Sequence, residues 1–189
     1  MTTHQTLDPI EYLSLHVTMR SPRDMVRIWE DGDLAWDGPA VPYQRGPAWT
    51  RDQQIQLIAS SLSGIPIPAI ITNRRNWKTP GPVYVVIDGQ QRLRTFAAWF
   101  KGNLPVPATW WKDGMYEQAF STVDGPYVTY ADLTVLGQRY FNNHASLAVA
   151  EGSLPTVQAE AEVYLRVNGY GTVQTDADLD RAARVARGE

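Results

Sequence analysis

The stretch Val85-Val86-Ile87-Asp88-Gly89-Gln90-Gln91-Arg92-Leu93-Arg94 decides how the rest of the chain is read. Val83 to Ile87 is a short apolar run with the β-branched composition of a strand. Asp88-Gly89 ends it. Helical periodicity then opens at Gln90, with Leu93, Phe96, Ala97 and Phe100 on one stripe. A carboxylate, a glycine and an arginine are therefore placed where a strand turns into a helix. Helix N-termini present free N–H groups and a favourable field to anions. Gly89 permits close approach to the backbone. Arg92 falls in the first helical turn, where its planar fork can grip a phosphate. Asp88 is an oxygen ligand of the kind Mg²⁺ prefers, or a base that orients water. A bare tight turn with a solvated arginine is the plain alternative, and five residues alone do not exclude it.

Upstream, Ser21-Pro22 reads as an N-cap and first helical position for a short amphipathic helix ending near Asp31-Gly32. Leu34 to Val41 reads as an irregular strand. Thr50 and Gln53 form a capping box for a helix with Ile55, Ile58, Ala59 and Leu62 inward, closed by Gly64. Ala69 to Thr72 is a strand, and Asn73 to Pro82 is a polar loop. Downstream, Leu104 to Pro126 shows little periodicity. Tyr130 to Asn143 is expected to be helical with Leu133, Leu136, Tyr140 and Phe141 inward. Ser146 to Ala150 reads as a strand and Thr156 to Val167 as a helix, with Val157, Ala161, Tyr164 and Leu165 on one side. Asn168 to Gly171 breaks that helix, and Asp176 to Arg187 reads as a last, charged one.

With 189 residues and 43% of them apolar, the chain suits one domain with a real core. Residues 1–18 are expected to form a lead or strap. Residues 19–189 are expected to form the domain, helical from about 130 to 189. A net charge of −3 argues against a surface devoted to coating nucleic acid, although Arg74, Arg75, Lys78, Arg92 and Arg94 lie close in sequence. The absence of cysteine removes disulfides, thiolate catalysis and cysteine-held metals. The first residues do not form a secretory signal, and no apolar run reaches membrane-spanning length. A cytoplasmic protein without membrane partners is expected.

Two further segments carry candidate residues. In Tyr43-Gln44-Arg45, Arg45 is either a loop arginine paired with an acidic residue or a second phosphate contact oriented by Gln44. Near Asn168, a helix C-cap is the structural role, and a functional one would turn Arg166 or Asn168 toward the same pocket. His4, His16 and His144 have no ligand-like spacing.

Four segments in order then resemble a known family: Val-Pro-Tyr-Gln-Arg-Gly-Pro-Ala-Trp (41–49), Ser-Gly-Ile-Pro-Ile-Pro (63–68), Val-Ile-Asp-Gly-Gln-Gln-Arg-Leu (86–93) and Tyr-Leu-Arg-Val-Asn (164–168). Together they look like the Asp-Gly-Gln-Gln-Arg branch of the ParB/sulfiredoxin-like superfamily. That branch includes the N-terminal domain of GmrSD-type modification-dependent restriction systems and related phage-defence proteins. The resemblance, over residues 20–187, implies an α+β fold: a small mixed sheet, flanking helices and a C-terminal helical annex. It implies a motif loop that binds nucleotide phosphate, and a domain that binds or hydrolyses NTP and gates a partner nuclease. DNA cleavage has also been described for ParB-like relatives. By position, Asp88, Gly89, Gln90, Gln91 and Arg92 belong to the signature loop, Tyr43, Gln44 and Arg45 to the upstream motif, and Arg166 and Asn168 to the Arg-x-Asn segment.

Two departures stand out. Tyr170 occupies the place of a family glycine, and no His-Asn-His-type nuclease segment appears before Glu189, so a single-domain version would lack the usual cutting machinery. The absence of cysteine excludes sulfiredoxin chemistry.

The expected activity is a slow, Mg²⁺-dependent NTPase linked to restriction or phage–host conflict. Asp88, Gln91 and Arg92 are its catalytic residues, and Asp88 is its metal ligand. Tyr43, Gln44, Arg45, Gly89, Gln90, Arg92, Arg166 and Asn168 contact nucleotide. A stand-alone DNA-nicking enzyme and a non-enzymatic regulator that binds nucleotide or a host protein are the rivals.

Overall fold

The computed structural model describes residues 14–44, 46, 48–75, 80–168, 184, 185, 187 and 188. The elements are β1 (His16–Arg20), α1 (Pro22–Glu30), β2 (Leu34–Ala35), α2 (Arg51–Leu62), β3 (Ile70–Arg74), β4 (Tyr84–Asp88), α3 (Gln90–Phe100), β5 (Val106–Pro107), β6 (Phe120–Thr122), β7 (Gly125–Val128), α4 (Val135–His144), β8 (Leu147–Gly152) and α5 (Val157–Asn168). This is the expected α+β class.

The main sheet runs β1-β8-β3-β4-β2 and the small one β5-β7-β6. In the main sheet β3 is antiparallel to β4 and parallel to β8. Its two faces bury different sets. One carries Ile70, Val86, Leu147 and Val149 against α1, α2, α3 and α4, with Phe96, Trp99 and Phe141 at the centre. The other carries Val85 and Ile87 against α5, through Ala161, Val163 and Tyr164. Strand alternation sends neighbouring residues of β4 to opposite cores, so β4 is the shared wall between them. On the first face Trp36 is buried and stacks on Trp29, ring centroids 4.2 Å apart.

Local signals land where the sequence places them. Ser21 accepts from the Arg23 N–H, and Thr50 and Gln53 close the capping box of α2. Four expectations shift. Residues 16–18, assigned to the lead, belong to β1, which pairs antiparallel with β8. The Leu34–Val41 strand shrinks to Leu34–Ala35, since Gly38 and the following prolines admit only turns. The segment without periodicity holds the three-stranded sheet, whose strands are too short to show alternation.

The fourth shift concerns Leu136, expected inward but 57% exposed. Thr134 caps α4, so the helix starts at Val135 after a 3₁₀ turn over Tyr130–Asp132. Gly137 and Phe141 are the residues that α4 buries. The predicted helix Asp176 to Arg187 lies almost wholly outside the described residues. No helix among the described residues is long and apolar enough to cross a membrane.

Candidate functional site

The turn between β4 and α3 is built as the sequence requires. Gly89 is the N-cap with φ +98°, a left-handed conformation that side chains rarely adopt. A β-carbon there would overlap the Ile70 side chain and stand 3.0 Å from Arg92 Nη2. Glycine is therefore needed twice, for backbone conformation and for space. No side chain caps the first turn of α3, and an uncapped helix start is the kind of end whose leading N–H groups can receive an anion.

Arg92 and Asp88 meet across this turn. Arg92 Nη2 donates to Asp88 Oδ2 at 2.6 Å and to the Ala69 carbonyl at 3.2 Å. Both side chains keep some solvent contact, 14% for Arg92 and 25% for Asp88. Arg92 Nε is buried and has no hydrogen-bond partner, so the guanidinium holds unspent donor capacity. Beside the turn, Arg94 pairs with Asp37.

The three glutamines of the candidate set clamp backbone. The β3–β4 register shifts between Ile71 and Thr72, a bulge next to Asp88. Gln44 Nε2 donates to the carbonyls of Val86 at 2.9 Å and Ile87 at 2.6 Å, satisfying the chain at that irregularity. Gln90 is buried and donates to the Trp36 carbonyl. Gln91 donates to the Gly46 carbonyl at 3.0 Å and accepts from the Ala48 N–H at 3.2 Å. Gln44, Gln90 and Gln91 thus tie the segments around Trp36 and Ala48 to the turn.

Tyr43, expected at the phosphate, is only 1% exposed and donates its hydroxyl to Glu160 Oε2 at 3.1 Å. Arg166 is exposed and pairs with Glu162, and Asn168 donates to the Tyr164 carbonyl at 2.9 Å, so their described hydrogen bonds stay within α5. Arg45 lies outside the described residues. Asp88, Gly89, Gln90, Gln91, Arg92 and Gln44 come together, while Tyr43 faces the opposite core.

Sequence reasoning missed Glu160, whose side chain is 1% exposed. Its carboxylate accepts from Tyr43, from Asn73 Nδ2 at 2.7 Å, from Arg75 Nε at 2.8 Å and from Arg75 Nη2 at 2.5 Å. A buried charge is tolerated only when paired and hydrogen-bonded, and this one is both. A signal existed: Glu160 lies on the same stripe of α5 as Val157, Ala161 and Tyr164, the face that meets the sheet.

The Tyr43 hydroxyl is pushed far above the ordinary tyrosine range, first by burial and then by the Glu160 carboxylate. A raised folded-state pKa favours the neutral form in the fold. Its stabilisation is complete below the ordinary value of 10.0 and is lost as pH rises beyond it. Urea midpoints of the wild type should accordingly fall relative to Tyr43→Phe above that pH. Parallel curves through the alkaline range would contradict this.

Residues 37–183 match the family described as GmrSD restriction endonuclease, N-terminal domain. The chain belongs to this family. The match covers most of the chain and contains the whole Asp88–Arg92 turn and its clamps, so the described turn is a feature of a GmrSD N-terminal domain. No curated protein and no solved structure matches the chain.

Proposed function

We propose that this GmrSD N-terminal domain binds a nucleoside triphosphate as its Mg²⁺ complex at the Asp88–Arg92 turn and hydrolyses it slowly. The observation that carries this reading is one arrangement: a strand ending in a carboxylate, a left-handed glycine, an uncapped helix start, and a guanidinium across it that is 14% exposed and holds an unpartnered Nε. A ParB/sulfiredoxin-like ancestry and a partner nuclease or DNA substrate belong to the same proposal.

Among the described residues no cluster of three His, Cys, Asp or Glu side chains forms a metal cage. Mg²⁺ typically takes one or two carboxylates and completes its shell with water and substrate phosphates. Asp88 would hold it, and the bound ion would supply charge neutralisation at the phosphates. The chain's own residues do the rest. Arg92 exchanges its Asp88 partner for a phosphate oxygen, a charge-assisted bond worth more than a neutral one. The N–H groups of Gly89 to Gln91 line the phosphate. Gln90 and Gln91, committed to backbone partners, hold the walls of the turn in place, and Arg45 would add a second cation.

A second reading, a DNA-nicking enzyme using the same turn, is favoured by the family's restriction-endonuclease description. Phosphate release from ATP, GTP and CTP should be measured beside nicking of supercoiled plasmid, with and without Mg²⁺. Release without nicking is expected. An NTP at 100 times its Kd should add about 2.7 kcal/mol of stability. Arg92→Ala should weaken binding by about 1.5–3 kcal/mol and leave circular dichroism unchanged. Asp88→Asn should abolish release while metal-free binding is kept. Turnover that survives in Asp88→Asn, or no thermal shift with any NTP, would overturn the proposal.

A further inference from the structure

The segment from Gly38 to Thr50 contributes no helix or strand among its described residues. With prolines at 39, 42 and 47 it cannot join a sheet ladder, so side chains must place it. Arg75 Nη2 donates to the Ala40 carbonyl at 2.8 Å, and the Tyr43 hydroxyl is held by Glu160. Gln44 then reaches the β4 carbonyls just before Asp88, and Gln91 receives the chain at Gly46 and Ala48. The first two anchors converge on one carboxylate, because Glu160 also accepts from two of the three guanidinium nitrogens of Arg75, Nε and Nη2. That carboxylate sits on α5, on the far face of the main sheet from α3.

A buried ion pair adds little net stability over an apolar filling of the same volume. What it provides is direction, since each partner must lie along a fixed hydrogen bond. The apolar contacts of Val41 and Tyr43 with Ala161 and Tyr164 would hold the segment against α5 without fixing where along the sheet it lies.

We propose that Glu160 is a positioning residue for the nucleotide site: through Arg75 and Tyr43 it fixes the segment that delivers Gln44 to the β4 carbonyls beside the Asp88–Arg92 turn. The inference rests on the nucleotide reading of that turn. It makes α5 the determinant of site geometry, although its described side chains point elsewhere. Movement of α5 would then be felt at the turn as a change in affinity.

The test compares Tyr43→Phe, which removes one hydroxyl and leaves the Glu160, Arg75 and Asn73 contacts, with Glu160→Gln. Phe141→Leu, in the opposite core, serves as a destabilised control. Two quantities are read: the affinity for Mg²⁺–ATP, or for whichever of GTP and CTP the wild type binds, and amide hydrogen exchange at residues 44–48 and 89–92. Tyr43→Phe is expected to weaken affinity by about tenfold, given the sensitivity of sites to small misplacements. It should speed exchange at both segments and leave residues 135–144 as in the wild type. Phe141→Leu should lower Tm and keep wild-type affinity. Wild-type exchange at 44–48 and 89–92 in Tyr43→Phe overturns the proposal, and so does an equal loss of affinity in Phe141→Leu. If Glu160→Gln does not fold, Tyr43→Phe alone decides. If the wild type binds no NTP, the nucleotide reading fails, and the exchange data still judge whether Glu160 places the segment.

Discussion

Arg75→Ala is expected to cost the fold about 3–5 kcal/mol, because it removes the partly exposed cation, 21% accessible, that pairs with a buried carboxylate, and strands that carboxylate. Glu160 would keep Asn73 Nδ2 and the Tyr43 hydroxyl, two neutral donors, around a carboxylate shut away from water. The Ala40 carbonyl would lose its bond from Arg75 Nη2 as well. Arg75→Lys should recover only part of the loss, since a single ammonium cannot reproduce the two-nitrogen grip. Removing both charges, as in Arg75→Met with Glu160→Leu, should cost less than Arg75→Ala alone, because no ion is left unpaired. Urea unfolding gives each value through the shift in midpoint at constant slope. An Arg75→Ala loss below about 1 kcal/mol, the scale of an exposed pair, would mean that solvent reaches Glu160 and that the network does not hold α5.

The second large effect falls on Gly89→Ala. At φ +98° an alanine carries strain of about 1–3 kcal/mol. Its methyl group must also displace Ile70 Cδ1 from a packed core, an overpacking cost of about 1–3 kcal/mol more. Arg92 would also have to give by a few tenths of an ångström beside Asp88, since Nη2 and Nε lie 3.0 and 3.2 Å from the new carbon. Gly32→Ala is the matched control: it has φ +83°, and a β-carbon there meets nothing within 4 Å. For a domain of this size each kcal/mol moves Tm by roughly 2–4 °C, so calorimetry separates the two variants. Gly89→Ala should melt well below Gly32→Ala and bind nucleotide poorly. Equal melting temperatures would show that the space behind Gly89 is not filled as described.

The contrast between these two sites explains what the sequence could and could not reveal. The turn at Gly89 is written in ten consecutive residues, because strand end, left-handed glycine and helix start are local events. The caps at Ser21 and Thr50 are equally local, closing over two or three residues. Glu160 pairs with Arg75 across 85 positions and with Tyr43 across 117. Nothing near it announces that contact, apart from a carboxylate standing on an apolar stripe. Tyr43 and Gln44 show the same limit from the other side. They are adjacent, and resemblance assigns both to phosphate, yet Tyr43 closes the core under α5 while Gln44 seals a bulge in β4. Alternation and burial separate neighbours in a way that a motif written as a string does not display.

The stacked indoles of Trp29 and Trp36 give the turn an optical voice. Two rings with centroids 4.2 Å apart and planes inclined by 19° are close enough for their electronic transitions to couple. The Trp36 backbone is tied to the turn through the carbonyl that receives Gln90. Lys101 Nζ stands over the Trp29 ring, 4.3 Å from its centre, and pairs with Glu30. A small rotation of α3 about its first turn would therefore register in the near-ultraviolet circular dichroism of this pair. Occupancy of the turn could be followed in the unlabelled protein, with no dye and no coupled assay, on the timescale of a stopped-flow mixing experiment.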